Sequence, residues 1–194
     1  MINPWLKIPA SDYENHMALP EVSQSPVIGK VFASSLLEYT PASLAVFGCT
    51  TGSGLDCIDI SKTERVVGVD INPDYLSILK RRFASKIPGL ELVEADFSLP
   101  GFRIEAVSLV FAALVFEYVN VRDTLKNMAR CMTSDGNLVV MLQLPSLKSA
   151  PVTATRYKSL ELLSPLMRLV SPDEFSDSAA GAGLKEIKAY TIPL

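Results

Sequence analysis

The sequence has no apolar stretch long enough to cross a bilayer, a single histidine, a single tryptophan and three cysteines. Its longest wholly apolar run, Leu109 to Phe116, falls far short of the roughly 20 residues that a spanning helix needs, and the N-terminus shows no basic-then-apolar signal pattern. A cytoplasmic protein without a membrane partner is expected. The 18 basic and 21 acidic residues leave a net charge of -3, and without a basic footprint nucleic acid is not an expected partner. Cys49, Cys57 and Cys131 are odd in number and form no CxxC pair. That suits a reducing compartment and argues against a structural zinc site or a disulfide framework, so all three read as small buried residues and no metal is expected.

What the 194 residues do have is alternation of strand-like and helix-like patterns. Ser25 and Pro26 read as an N-cap and first helical position, and Ile28, Val31, Phe32 and Leu36 recur at helical spacing up to Tyr39. Leu44 to Phe47 is a short buried strand, followed by a glycine loop and a brief helix around Leu55 to Ile60. Arg65 to Asp70 is a second strand, after which Asn72 caps and Pro73 opens a helix with Leu76, Leu79, Phe83 and Ile87 on one face. Leu90 to Ala95 and Val107 to Ala112 are the third and fourth strands, and Val121 to Met132 is a helix stopped by the turn Ser134-Asp135-Gly136. Leu138 to Leu144 is a fifth strand. Ser171 and Glu174 form a capping box for a helix that Gly181 and Gly183 end, and Leu184 to Ile192 is a last strand.

This order predicts an α/β fold, a doubly wound, mostly parallel sheet with helices on both faces. Residues 1–24 and the stretch Pro145 to Ser164 escape the pattern and read as lids. The chain divides into an N-terminal arm, 1–24, and one cofactor-binding domain, 25–194. Ligands in such sheets bind outside the carboxyl ends of the strands, where the strand order reverses. The loop Phe47-Gly48-Cys49-Thr50-Thr51-Gly52-Ser53-Gly54 lies at such an end, and its glycines allow a backbone to approach a ligand closely. Asp70 ends the second strand at the distance where dinucleotide-binding folds place an acid for the ribose hydroxyls. Asp96 ends the third strand beside Phe97, a carboxylate for an exocyclic amine next to an aromatic for a ring. The loop and acids suit NAD(P) and a short-chain-dehydrogenase-like protein as well. That family's Tyr and Lys four positions apart are missing, since Tyr75 and Lys80 are five apart.

The segments "LAVFGCTTGSG", "VVGVDINPDYL" and "LELVEADFSLP", followed in order by "VSLVFAALVFEYV", "LKNMARCMTSDGNLVV" and "SPDEFSDSAAGAGLKEIKAY", resemble the motifs of class I S-adenosylmethionine-dependent methyltransferases of the compact, small-molecule type. The resemblance spans roughly residues 25–192. It implies a Rossmann-like fold and S-adenosylmethionine as cofactor. Gly48, Cys49 and Gly52 would line the methionine part, Asp70 the ribose, Ile71 and Asp96 with Phe97 the adenine. Two positions depart from the pattern: Val46 stands where an acid is usual, and Thr50 where the middle glycine is usual. A degenerate, non-catalytic nucleotide-binding member therefore stands beside the enzyme as an alternative. The family's antiparallel seventh strand has no counterpart before Leu194, which would leave a sheet edge for a partner such as a second copy in a homodimer.

Methyl transfer from a sulfonium is an in-line displacement, which needs a base only where the acceptor is protonated. Candidates are His16 with Tyr13 on the arm, and Glu117 with Tyr118 after the fourth strand. No Asn/Asp-Pro-Pro-Tyr segment follows that strand, which disfavours amide and exocyclic-amine acceptors. A small molecule is the expected acceptor.

Overall fold

The computed structural model describes residues 3–145 and 152–193. Five strands, β1 (Ser43–Phe47), β2 (Arg65–Asp70), β3 (Leu90–Glu94), β4 (Val107–Ala113) and β5 (Met132–Met141), form one sheet in the order β3-β2-β1-β4-β5. Every pair is parallel. The strand order reverses between β1 and β4, so the carboxyl ends of those two strands open the crevice in which such sheets bind ligands. The helices are α1 (Ala10–Ala18), α2 (Gln24–Tyr39), α3 (Pro73–Phe83), α4 (Val121–Arg130) and α5 (Pro172–Gly181).

Because both faces of the sheet are covered at its centre, β1, β2 and β4 are apolar almost throughout, whereas the edge strands β3 and β5 carry polar residues. Leu44, Val66 and Leu109 pack with Phe32, Leu79 and Phe83 of α2 and α3 on one face. Ala45, Val67 and Val110 pack with Leu125 and Met128 of α4, and with Phe175 of α5, on the other. All of these but the half-buried Phe175 are sealed from solvent, and each large buried one stabilises the fold by about 1.5–3 kcal/mol. The helices start where local chemistry says they should. Asn72 accepts from the backbone N–H of Asp74 and Tyr75, Asn120 from that of Asp123, and Ser171 from that of Glu174. Glu174 turns its own carboxylate outward to Arg168, at 2.7 and 2.8 Å, so the cap is not reciprocal.

Four expectations change. The first long helix begins at Gln24 rather than after Ser25, behind Ser23 in a left-handed conformation with no side-chain cap. The brief helix after the glycine loop is a 3-10 turn over Leu55–Cys57. Ser134-Asp135-Gly136 does not end the helix in a turn before a fifth strand. It bulges out of a strand that already begins at Met132, because Val107 pairs with Met132 while Leu109 pairs with Asn137. The last strand does not form. Leu184–Ile192 has strand-like residues but no partner among the described residues, and Ile187 and Tyr190 are 74% and 65% exposed. A strand needs a ladder, and here the segment is held instead by Lys188, which reaches Glu38 and the Tyr39 ring at the end of α2. Among the described residues, the edge that the missing strand leaves open is therefore that of β5.

The arm is more ordered than the sequence suggests. A 3-10 turn, Pro4–Lys7, leads into α1, and Ile8 packs with Leu160 and Leu163 of a second 3-10 stretch, Lys158–Leu163. Arm and strap thus form a small third core over the carboxyl ends of the strands. Residues 146–151 of the expected second lid lie outside the described residues.

Candidate active site

The glycine loop leaves β1 with φ positive at every second residue: Gly48 at 70°, Thr50 at 48°, Gly52 at 91° and Gly54 at 91°. Gly48 and Cys49 both donate to the Val69 carbonyl of β2, at 2.9 and 3.1 Å, which ties the loop across the strand ends. Thr50 is the surprising member, since a β-branched residue at positive φ is strained. Two contacts hold it there. Its N–H donates to Asp70 Oδ2 at 2.8 Å, and its side chain shares a hydrogen bond with the Tyr13 hydroxyl. Gly52 faces away from the cleft, with a position for Cβ only 2.7 Å from the Phe83 ring of α3.

Asp70 is buried and accepts from three backbone donors, Thr50 as above, Asn72 N–H on Oδ1 at 2.9 Å, and Ile71. Burial pushes its pKa up against the pull of those amides. A carboxylate offers about four lone-pair sites, so the three amides still leave acceptor capacity toward the cleft. Asp96 accepts from the N–H and hydroxyl of Ser98 on a single oxygen, Oδ1, at 3.0 and 2.6 Å.

Two adjoining cavities lie at these strand ends. One, about 210 Å³, runs between α1, α2 and the loop and is lined by Glu14, Val46, Cys49, Thr50 and Ser53 among others. The other, about 150 Å³, is lined by Asp70, Ile71, Asp96 and Phe97 at one end, and by Trp5, Tyr118, Gln24, Gln143 and Met167 at the other. Tyr13, Met17, Ile28, Gly48, Thr50 and Ala113 line both and stand between them. The candidate cofactor residues Gly48, Cys49, Asp70, Ile71, Asp96 and Phe97 therefore converge, whereas Gly52 serves the packing of α3.

The candidate bases divide. Tyr13 and Tyr118 line the cavities, and burial pushes the Tyr13 hydroxyl up to about 12 and that of Tyr118 up as well. Both stay protonated near neutral pH. His16 lines neither cavity; it is buried with Nδ1 3.0 Å from the Thr155 hydroxyl, and burial lowers its pKa. Glu117 also lies behind the wall. Its Oε1 accepts from the Gln143 N–H at 2.6 Å, its Oε2 is sealed off without a hydrogen-bond partner among the described residues, and burial raises its pKa. It holds Gln143, which does face the cavity and in turn accepts from Gln24 at 3.0 Å.

Sequence reasoning missed several lining residues. Leu114 has φ of 55° at the end of β4, strain that no local signal announces. Gln24, Gln143 and Met167 come together only through the fold. Glu14 and Met17 were legible in principle, since Tyr13 and Met17 share a helix face at i, i+4.

Residues 45–140, just under half the chain, match the family model of a methyltransferase domain. Compared with curated protein sequences, the chain matches none. Among solved structures it is similar to a protein of Bordetella parapertussis described as a possible exported protein, at 19% identity and a TM-score of 0.65 over 87% of this chain and 64% of that one. It is similar to an S-adenosylmethionine-dependent methyltransferase of Mesorhizobium loti, at 14% identity and 0.57 over 73% of each chain. It is also similar to the YcgJ protein of Bacillus subtilis, at 14% identity and 0.61 over 80% of this chain and 67% of that one. The chain thus spans less than two thirds of the Bordetella protein. At these identities the likeness concerns the fold, which is that of the class I methyltransferases. No helix among the described residues is long and apolar enough to cross a membrane.

Proposed function

From a chain that carries a methyltransferase domain on a class I fold, we propose an S-adenosylmethionine-dependent methyltransferase that acts on a small-molecule acceptor by in-line transfer. The observation that carries this reading is the convergence of the glycine loop, Asp70 and Asp96 with Phe97 on adjoining cavities at the strand ends. The residues fit the cofactor chemically. Asp96 accepts from an adenine amine, Phe97 and Ile71 supply apolar contact, and Asp70 has lone pairs for ribose hydroxyls. When bound, the cofactor supplies a methyl group on a cationic sulfur.

The chain's own contribution is placement and exclusion of water. Trp5 packs edge-on against Tyr118 with ring centroids 5.1 Å apart, which roofs the acceptor end of the second cavity. Gln24 and Gln143 offer that end neutral hydrogen bonds, and among the described residues no basic side chain lines it. With Tyr13 and Tyr118 protonated and with His16 and Glu117 behind the wall, the acceptor atom brings its own free electron pair. The positive φ of Thr50 and the uncharged Val46 favour one second reading, a nucleotide-binding protein without catalysis.

Calorimetric titration with S-adenosylmethionine, S-adenosylhomocysteine and NADH tests the proposal. Binding of the first two and not of NADH is expected. Binding of NADH alone would overturn it.

A further inference from the structure

The cavity beside the glycine loop has one carboxylate on its wall, and it does not come from the sheet. Glu14 reaches in from α1, where its Oε1 accepts from the Thr51 hydroxyl and from Arg82 Nη1, and its Oε2 from Arg82 Nη2 at 3.2 Å. Arg82 stands on α3, so the carboxylate is fixed by two elements of the body although it belongs to the arm. Thr51 is fully buried, and its hydroxyl spends its donor on this carboxylate. Arg82 keeps Glu14 ionised, because hydrogen bonds from the guanidinium hold its pKa below the usual carboxylate range. The other titratable groups on this wall are neutral near pH 7: burial raises the pKa of both the Cys49 thiol and the Tyr13 hydroxyl. With three of about four lone-pair sites used, Glu14 keeps acceptor capacity for one more donor.

We infer that Glu14 receives the α-ammonium of the cofactor's amino-acid end, in the cavity between α1 and the glycine loop. The inference rests on the reading of the cofactor as S-adenosylmethionine. That molecule ends in an ammonium and a carboxylate. Asp70 and Asp96 fix its nucleoside end in the adjoining cavity, so the amino-acid end lies past Gly48 and Thr50, where Glu14 is. Val46 lines the same cavity and brings no charge. A cofactor held in this way binds the arm and the sheet to each other, since its two ends touch different parts of the molecule.

Calorimetry with S-adenosylhomocysteine and with its analogue lacking the α-amino group tests this on the wild-type chain, Glu14→Gln and Asp12→Asn. Glutamine keeps the size of Glu14 and can still accept from Thr51. Asp12 joins α1 to the strap through the Ser159 hydroxyl, at 2.6 Å, and lines neither cavity, so Asp12→Asn reports on the arm alone. Glu14→Gln should weaken S-adenosylhomocysteine about ten- to a hundredfold, the range of a charged hydrogen bond, and leave the desamino analogue within about twofold. Removal of the amino group should cost the wild-type chain the same factor, and Asp12→Asn should affect both ligands alike. If Glu14→Gln weakens both ligands equally, or neither, Glu14 only fastens the arm and the inference fails while the cofactor reading stands. If the wild-type chain binds neither ligand, the cofactor reading fails and takes the inference with it.

Discussion

On one wall of the cleft, Gly48, Cys49 and Asp70 rise from strands whose Leu44, Ala45, Val66 and Val67 are wholly buried. On the other, α1 meets the body through polar contacts of Glu14 and the strap segment through Asp12 and His16, with rings packed around Trp5. The first wall is held by apolar burial on both faces of a sheet, so it can move only if the sheet opens. The second is held by a few hydrogen bonds and one partly exposed ion pair, the kind of contact worth about 0.2–1 kcal/mol, besides a small apolar cluster. Such a segment can open while the core stands, which gives a ligand its way in.

The largest effect is expected on the sheet wall. Gly52→Ala places a Cβ 2.7 Å from the Phe83 ring at a φ of 91°, so conformational strain and overpacking together should cost about 2–5 kcal/mol in denaturant unfolding. Gly101→Ala sharpens the comparison. It has a similar φ of 84° but nothing within 4 Å, and should cost only the conformational part, about 1–2 kcal/mol. Equal costs would mean that the loop is not packed against α3 as described.

A smaller effect separates the arm from the sheet by pH. The folded pKa of Glu14 is lowered, chiefly by the hydrogen bond from Arg82, so its contribution is complete above its ordinary value of 4.5 and is lost as pH falls through the lowered value. Burial raises the folded pKa of Asp70 and Glu117, which gives the opposite sign: their contribution is present below the ordinary carboxylate range and lost as pH rises through the raised values. Acid should therefore loosen the arm before the sheet. Trp5, the only tryptophan, reports this directly. Its fluorescence should change below pH 4.5 while far-ultraviolet circular dichroism holds. A simultaneous loss of both signals would show arm and sheet to be one cooperative unit.

The same division marks what the sequence made legible. β1 to β4, α3 and the start of α4 are set by local apolar periodicity and by the Asn72 and Asn120 caps, and they stand where the residues predict them, although α4 stops at Arg130 and Met132 already belongs to β5. Leu184–Ile192 has the residues of a strand, but pairing is a property of neighbours, and the periodicity of a segment does not say whether one is there. α1 buries only His16 and Met17, too little for an apolar stripe to announce a helix. The candidate cofactor residues at strand ends were visible because strand ends are local. His16 and Glu117 were plausible bases by residue type, and only the fold reveals that both sit behind the wall. Glu14 reaches a loop 37 positions away, a meeting that no spacing rule encodes.

Hydrogen exchange with and without S-adenosylhomocysteine tests most directly whether this cleft is a cofactor site roofed by the arm. Slowed exchange is predicted together at residues 48–54, 70–72 and 96–98 and along α1. Unchanged exchange at the strand ends, or protection there with none in α1, would contradict it.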